Sequence, residues 1–175
     1  NAQLEHLIIN NNFLKEIDLS KNVKLKELFV SSNQISKLDL LNNNKLVNLS
    51  CDNNKLFDLN FNNLFNLKIL KCENNQINNI ELNTCMSLNI SNNPISSFKI
   101  NQQANLKELL MINTNIVDID FSNYTKLNFI ACYNSKFLKK INFGNCKANS
   151  ERLIIIEKQD LNFEIIHNGC NVGFR

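Results

Sequence analysis

Apolar residues recur along this chain in a pattern that repeats every 21 residues. Each turn of the pattern reads Leu-x-x-Leu-x-(apolar)-x-x-Asn, and the steps between turns are 21 residues except for one step of 18. The Asn-type position falls at Asn12, Asn33, Asn54, Asn75, Asn93, Thr114 and Ser135. Alternation around the second Leu has the two-residue period of a strand. The pattern therefore predicts seven stacked turns, each with one short strand.

Each turn continues with further apolar positions after the Asn-type residue. A single apolar residue comes first and an alternating apolar pair follows. In the seventh turn the single residue is Phe137 and the pair is Ile141 and Phe143. This turn has a one-residue insertion in the segment KFLKKINF. One turn cannot bury its apolar side alone, so stacked turns must share a core. The Asn-type residue is predicted to follow the strand at a tight bend, where its side chain bonds backbone groups of its own and adjacent turns.

Three cysteines occupy equivalent inward positions: Cys51, Cys72 and Cys132. Equivalent side chains on parallel strands stay about 4.8 Å apart, whereas a disulfide needs converging Cβ atoms about 3.5–4.5 Å apart. A metal site needs tetrahedral convergence of its ligands, which a ladder does not provide. The three thiols are therefore predicted to be free, small core hydrophobes.

The other cysteines lie late in the repeat or after it. The alignment on the Asn-type position places Cys85 with Leu88 as a leading apolar pair, like Leu67 with Leu70. A second alignment assigns Cys85 and Cys146 to the positions of Asn22 and Asn43 in earlier turns, and Cys170 has no place in the ladder. A Cys146–Cys170 bridge across the C-terminal end would suit an extracellular protein, and the sequence leaves this pairing open.

The residues that carry this pattern, about 4 to 143, resemble the leucine-rich-repeat family. The short bacterial, internalin-type repeat is the most similar sub-pattern, because some of its members carry cysteine in place of an inward Leu. The resemblance implies a right-handed curved solenoid with a parallel sheet on the concave face and short non-helical segments on the convex face. It also implies protein binding at the surface of a cell or in a secreted form, although an intracellular location is compatible with the sequence. We assign residues 1–148 to the repeats and 149–175 to a C-terminal cap or a final irregular repeat.

Composition excludes little but favours binding over catalysis. The formal net charge of +3 gives no electrostatic argument for nucleic acid or for an anionic membrane surface. No apolar segment of the sequence approaches the ~18–20 residues of a membrane span, so we expect no membrane insertion. The two histidines, His6 and His167, lie in no catalytic motif, and the chain has no phosphate loop or Ser-His-Asp arrangement, so we expect no enzyme activity and no cofactor. Because the chain opens part-way into a repeat without Met, we expect a fragment or a processed form.

The outward strand positions are the candidates for contact with a protein or peptide ligand. They are polar in the middle turns and apolar in the last two, and the predicted contact residues there are Glu108, Leu110, Ile112, Phe129, Ala131 and Tyr133. A smaller apolar pair, Ile8 and Phe29, lies at the other end. In the alternative interpretation, the segment from Asn149 onward folds over the last turns and covers them. Two other functions stay open, a structural spacer and the sensing segment of a larger signalling protein.

Overall fold

The computed structural model describes residues 1–101, 105–145, 153–155 and 164–168, with the backbone alone at 98, 145, 153–155, 165, 167 and 168. These residues form short strands. In chain order they are β1 (His6–Ile8), β2 (Glu27–Phe29), β3 (Asn48–Ser50), β4 (Ile69–Lys71), β5 (Asn79–Leu82), β6 (Ser87–Asn89), β7 (Ser97–Ile100), β8 (Glu108–Leu110), β9 (Asp118–Asp120), β10 (Phe129–Ala131), β11 (Lys140–Asn145), β12 (Leu153–Ile155) and β13 (Glu164–Asn168).

The strands form three parallel sheets, and no helix occurs within the described residues. The longest sheet has the order β1-β2-β3-β4-β6-β8-β10-β12 and takes one strand from each turn, so it is the predicted concave sheet and is called so below. Its strands pair in register, with the central leucines Leu7, Leu28 and Leu49 side by side. The later parts of the turns form the two shorter sheets, β13-β11-β9 and β5-β7. The predicted leucine-rich-repeat solenoid is confirmed.

A single core runs through the stacked turns. The central leucines Leu28, Leu49 and Leu70 are at most 1% exposed, because each is covered by the equivalent residue of the next turn. Late in the turns the core is filled by aromatic rings, and Phe121 stacks on Phe143 with 5.8 Å between ring centroids. Burial of one such apolar side chain contributes about 1.5–3 kcal/mol, so contact between neighbouring turns is the main source of stability.

In each of the first seven turns, a tight bend follows the strand of the concave sheet. The residue before each Asn-type position has a φ of +54° to +57°. These residues are Asn11, Ser32, Asn53, Asn74, Asn92, Asn113 and Asn134. Asparagine tolerates this left-handed conformation better than other residues with a Cβ atom, because its short amide bonds the local backbone. Asparagine therefore recurs in this chain for two structural reasons, one at the bend and one at the Asn-type position that follows it.

The Asn-type side chains make the predicted bonds between turns. The Nδ2 group of Asn54 donates to the carbonyl oxygens of Val30, Cys51 and Asp52 at 3.0–3.1 Å, and its Oδ1 atom accepts from the backbone N–H of Ile35 at 3.0 Å. One side chain therefore joins the backbone of two neighbouring turns.

Two details of the predicted register are wrong. Phe137 is 55% exposed, and the inward position of that turn is taken by Leu138, because the extra residue is accommodated in the bend before it. Cys85 occupies the position of Leu67 and not that of Asn22. The N–H groups of Met86 and Ser87 donate to Lys68 O of the preceding turn, just as the N–H groups of Lys68 and Ile69 donate to Val47 O. Met86 is therefore equivalent to Lys68, and the residue before it, Cys85, is equivalent to Leu67. Cys146 and Cys170, with their proposed bridge, lie outside the described residues.

The inward cysteines are buried and free, as predicted. Cys51 and Cys72 are 0% exposed and Cys132 is 2% exposed. Burial raises the pKa of the Cys132 thiol to about 12 and raises the pKa of Cys51 and Cys72 well above the usual value. These groups therefore stay protonated at neutral pH and behave as apolar side chains.

Candidate binding surface

The outward face of the concave sheet presents three side-chain columns, because alternate strand residues point away from the core. In each turn the columns come from the residue before the central leucine, the residue after it, and the residue that follows two positions later. In turns six and seven these positions are Glu108, Leu110 and Ile112, and then Phe129, Ala131 and Tyr133. The sheet register places Phe129 beside Glu108 and Ala131 beside Leu110. The predicted contact residues of these turns are thus adjacent.

Within this group, exposure differs from residue to residue. Tyr133 is 36% exposed, and Leu110, Ile112 and Phe129 are partly exposed. Ala131 is only 4% exposed, because its methyl group is short and its strand is flanked on both sides by β8 and β12. Ala131 therefore offers almost no contact area, which the sequence alone did not indicate. We call Leu110, Ile112, Phe129 and Tyr133 the C-terminal patch.

Glu108 borders the C-terminal patch as an exposed carboxylate. Its Oε2 atom accepts a hydrogen bond of 3.0 Å from the Ser87 hydroxyl of the preceding turn. The bond holds the carboxylate over the sheet and leaves its second oxygen for other contacts.

The described part of the C-terminal segment continues the sheets. Strand β12 pairs with β10 in parallel, with Leu153 opposite Phe129 and Ile155 opposite Ala131, and β13 pairs with β11. In these strands the chain lies beside the seventh turn and does not cross its outward face. Residues 146–152, 156–163 and 169–175, on which the covering interpretation also depends, lie outside the described residues.

The smaller pair lies at the other end of the sheet. Ile8 is 69% exposed and Phe29 is partly exposed, and the register places them side by side. Next to them the imidazole Nδ1 of His6 lies 2.8 Å from Glu27 Oε2, and the Asn48 amide donates to Glu27 Oε1 at 2.8 Å. The pair is therefore bounded by a polar chain, and about 80 residues of sequence separate it from the C-terminal patch.

The middle of the concave sheet is polar. The Asp52 carboxylate accepts bonds from the hydroxyls of Ser31 at 2.5 Å and Ser50 at 2.9 Å. Beside it, partial burial and the charge of Asp52 raise the pKa of Glu73. The outward positions of the same turn carry Lys71 and one apolar side chain, Ile69, which is 38% exposed and lies between Asn48 and Ser87 in the sheet register. The C-terminal patch is therefore the larger apolar area of the sheet.

A row of lysines along one edge of the concave sheet was missed by the sequence analysis. A search for local charge runs finds Lys136, Lys139 and Lys140, whereas the lysines of the row, apart from the pair Lys24 and Lys26, are separated by most of a turn or more. The row comprises Lys24, Lys26, Lys45, Lys68, Lys107 and Lys126, which directly precede a concave strand or lie two residues further upstream. The signal that would have found them is recurrence with the repeat, as in the 21-residue step from Lys24 to Lys45.

The described chain has a cavity outside the concave sheet, and it contains neither a metal-ligand cluster nor a membrane-spanning helix. No three His, Cys, Asp or Glu side chains in the described ranges are grouped so that they could hold a metal ion. The same ranges include no helix with the length and hydrophobicity needed to cross a membrane. A cavity of about 410 Å³ lies between turns two and three, away from the concave strands, and its lining includes Lys37, Leu41 and Phe57. No predicted contact residue lines it.

Comparison with solved structures identifies the fold. The functional domain of InlJ from Listeria monocytogenes, which includes a cysteine ladder, superposes with a TM-score of 0.75 at 23% identity over 99% of this chain and 41% of that one. An internalin from the same species, InlF, superposes with a TM-score of 0.58 at 19% identity over 93% of this chain and 62% of that one. No protein-family profile and no curated protein sequence matches.

Both structures are longer than this chain, which spans less than two thirds of either. At these identities the likeness concerns the fold. It covers the solenoid of stacked parallel strands. The chain has a leucine-rich-repeat solenoid fold of the internalin type, and its own core contains the inward cysteines Cys51, Cys72 and Cys132.

Proposed function

We propose that this chain is a protein-binding module that contacts a protein or peptide through the concave sheet, chiefly through the C-terminal patch. The observation that carries the proposal is the contrast along the sheet. Leu110, Ile112, Phe129 and Tyr133 form one apolar and aromatic area on a surface whose middle turns are polar apart from the single side chain of Ile69. Such areas on soluble proteins are typical of contact sites, and tyrosine is enriched among the residues that dominate binding energy.

The way these side chains are supported favours the same function. Each lies in or directly after a strand that is paired on both sides, β8 by β6 and β10, and β10 by β8 and β12. Their backbone positions are therefore fixed before binding, which lowers the entropy lost on association. The resemblance to internalin-type repeats favours a surface or secreted recognition role as the setting for this binding.

The test is affinity capture with three forms of the chain. Wild type, a Leu110→Glu/Tyr133→Glu patch variant and a Leu41→Glu/Phe57→Glu control are immobilised and incubated with the same native extract, and bound proteins are identified by mass spectrometry. The control also places two carboxylates at exposed apolar positions, since Leu41 and Phe57 are 62% and 57% exposed, but both line the cavity that lies away from the concave strands. All three forms must first give the same circular dichroism spectrum.

We expect wild type and the control to capture a common protein that the patch variant loses. Buried carboxylates in an apolar interface would have to be desolvated without partners, which abolishes binding. If the patch variant captures the same proteins as wild type, or if no form captures any protein, the proposal is wrong. A spacer would then be the better description of the chain.

A further inference from the structure

The lysine row places uncompensated positive charge along one edge of the concave sheet. Lys26 lies 2.7 Å from the Glu5 carboxylate, but Lys45, Lys68 and Lys107 have no carboxylate within 4.0 Å among the described residues. Glu27 and Glu108, which directly follow Lys26 and Lys107 in the sequence, have other polar partners: Glu27 contacts His6 and Asn48, and Glu108 contacts Ser87. A solvated lysine without an anionic partner repels its neighbours, so such a row lowers the stability of the protein when no ligand is bound.

The C-terminal patch lies between this row and another lysine. Lys107 directly precedes β8, and Lys126 lies three residues before Phe129, with its Nζ group bonded to the neutral side chain of Asn105. On the opposite side, the exposed Lys136 follows the bend after Tyr133. The apolar area is thus flanked by cations on two sides, with Glu108 as the carboxylate that borders it.

The spacing of the row matches that of an extended chain. Lys26, Lys68 and Lys107 precede β2, β4 and β8, which are two strands apart in the sheet order. Two strand spacings are about 10 Å. A fully extended peptide covers about 10 Å in three residues. A segment that runs across the strands would therefore meet one of these lysines at about every third residue.

We propose, on the basis of the function proposed above, that the ligand is an acidic protein segment, whose apolar and aromatic side chains contact the C-terminal patch and whose carboxylates pair with the lysine row. Nucleic acid fits less well. Asp52, Glu73, Glu27 and Glu108 share the concave face and would repel a backbone that carries a phosphate at every nucleotide, whereas a peptide can place its carboxylates at the lysine row alone and its apolar side chains elsewhere.

The test is selection of random twelve-residue peptides displayed on phage. The baits are wild type, a Lys68→Glu/Lys107→Glu row variant, the Leu110→Glu/Tyr133→Glu patch variant and a Lys15→Glu/Lys37→Glu control. Lys15 and Lys37 are exposed, have no ion pair within the described residues and lie away from the concave strands, so the control makes the same charge change elsewhere. Selected peptides are then synthesised for measurement of association rates.

We expect wild type and the control to enrich peptides that combine Asp or Glu with apolar or aromatic residues. The row variant should bind those peptides with an association rate at least about tenfold lower in 50 mM NaCl, because charges at the rim of a site act mainly on association. The difference should shrink in 500 mM NaCl, where the screening length falls to a few ångströms.

Other outcomes separate this inference from the function on which it depends. Peptides that need the C-terminal patch but show no acidic bias, or that bind the row variant as fast as wild type, would overturn the acidic ligand and leave the binding module intact. Peptides that bind the patch variant as tightly as wild type would overturn both the acidic ligand and the proposed binding through the C-terminal patch. A single-stranded DNA oligonucleotide that binds wild type as tightly as the selected peptides would show that the row serves nucleic acid instead.

Discussion

Replacement of Asn75 by Ala tests whether the ladder of Asn-type side chains joins the turns. The Asn75 amide is 8% exposed, and its Nδ2 group donates to the carbonyl oxygens of Cys51, Cys72 and Glu73 at 3.0–3.2 Å. Its Oδ1 atom accepts from the backbone N–H of Leu56 at 2.9 Å. The substitution removes all four bonds without changing an apolar contact.

The four bonds do not contribute equally. The three carbonyls each keep a second donor, Asn54 for Cys51, Asn93 for Cys72 and the N–H of Asn53 for Glu73, so their loss costs about 1 kcal/mol together. The N–H of Leu56 has no other acceptor among the described residues, and leaving it buried and unpaired costs about 1–3 kcal/mol. We therefore expect a loss of about 3 kcal/mol in the free energy of unfolding.

Asn12→Ala is the matched control, because Asn12 holds the same position in the first turn. Its amide donates to Ile9 O and Asn10 O, but it is exposed, and no backbone N–H of the described residues donates to it. The control should lose less than about 1 kcal/mol. Urea unfolding followed by circular dichroism measures the free energy of unfolding of both variants. Because a repeat protein can unfold in more than one step, each transition in the curve is fitted separately. If Asn75→Ala loses no more stability than Asn12→Ala, the orphaned N–H is not the dominant cost and the reasoning fails.

The buried thiols and the C-terminal bend each give a further prediction. Native protein at pH 8 should react with a thiol reagent at Cys51, Cys72 and Cys132 at least about a hundredfold more slowly than urea-unfolded protein does. Burial keeps these thiols protonated and inaccessible. The labelled cysteines are located by peptide mass, and rapid labelling of these three would contradict their burial. Gly144→Ala should lower the unfolding free energy by about 1–3 kcal/mol, since Gly144 has a φ of +60° and an added Cβ would lie 2.7 Å from the Ser122 Cβ. Adding Ser122→Gly should restore part of that loss, and equal stability of wild type and Gly144→Ala would contradict the strain.

The fold could be predicted from the sequence because its determinants are repeated. A misassigned position in one turn is corrected by the same position in six others, so the inward leucines and the bend after each strand were assigned correctly. Errors arose where the repeat is irregular. In KFLKKINF, Phe137 and Leu138 are adjacent and both apolar, and only the packing shows that Leu138 enters the core. Near Cys85 the short step allowed two alignments, which the backbone hydrogen bonds distinguish.

The candidate surface was less predictable, because outward positions do not repeat. Strand alternation indicates that Ala131 points outward, but its burial depends on the strands on either side. The lysine row is absent from any local run of charge, since its members meet only when the turns are stacked. Alternation thus predicts which residues face the ligand side, while exposure and charge depend on neighbours that are distant in the sequence.

The two ends of the ladder differ in a way that bears on binding. In the turns that carry the C-terminal patch, Thr114 and Ser135 replace asparagine. The Thr114 hydroxyl donates to Met111 O of its own turn at 3.2 Å. The Ser135 hydroxyl donates to the same oxygen at 3.3 Å, accepts from the Thr114 N–H at 3.4 Å and lies 3.4 Å from the Thr114 hydroxyl. These contacts are longer than the bonds of 2.9 Å and 3.1 Å that join Asn75 to the preceding turn, and a hydroxyl has one hydrogen to donate where the amide has two. A ligand that bridges Leu110 and Tyr133 would add contacts between turns six and seven, where the bonds of the ladder are longer, and its binding would stabilise the folded chain through that junction.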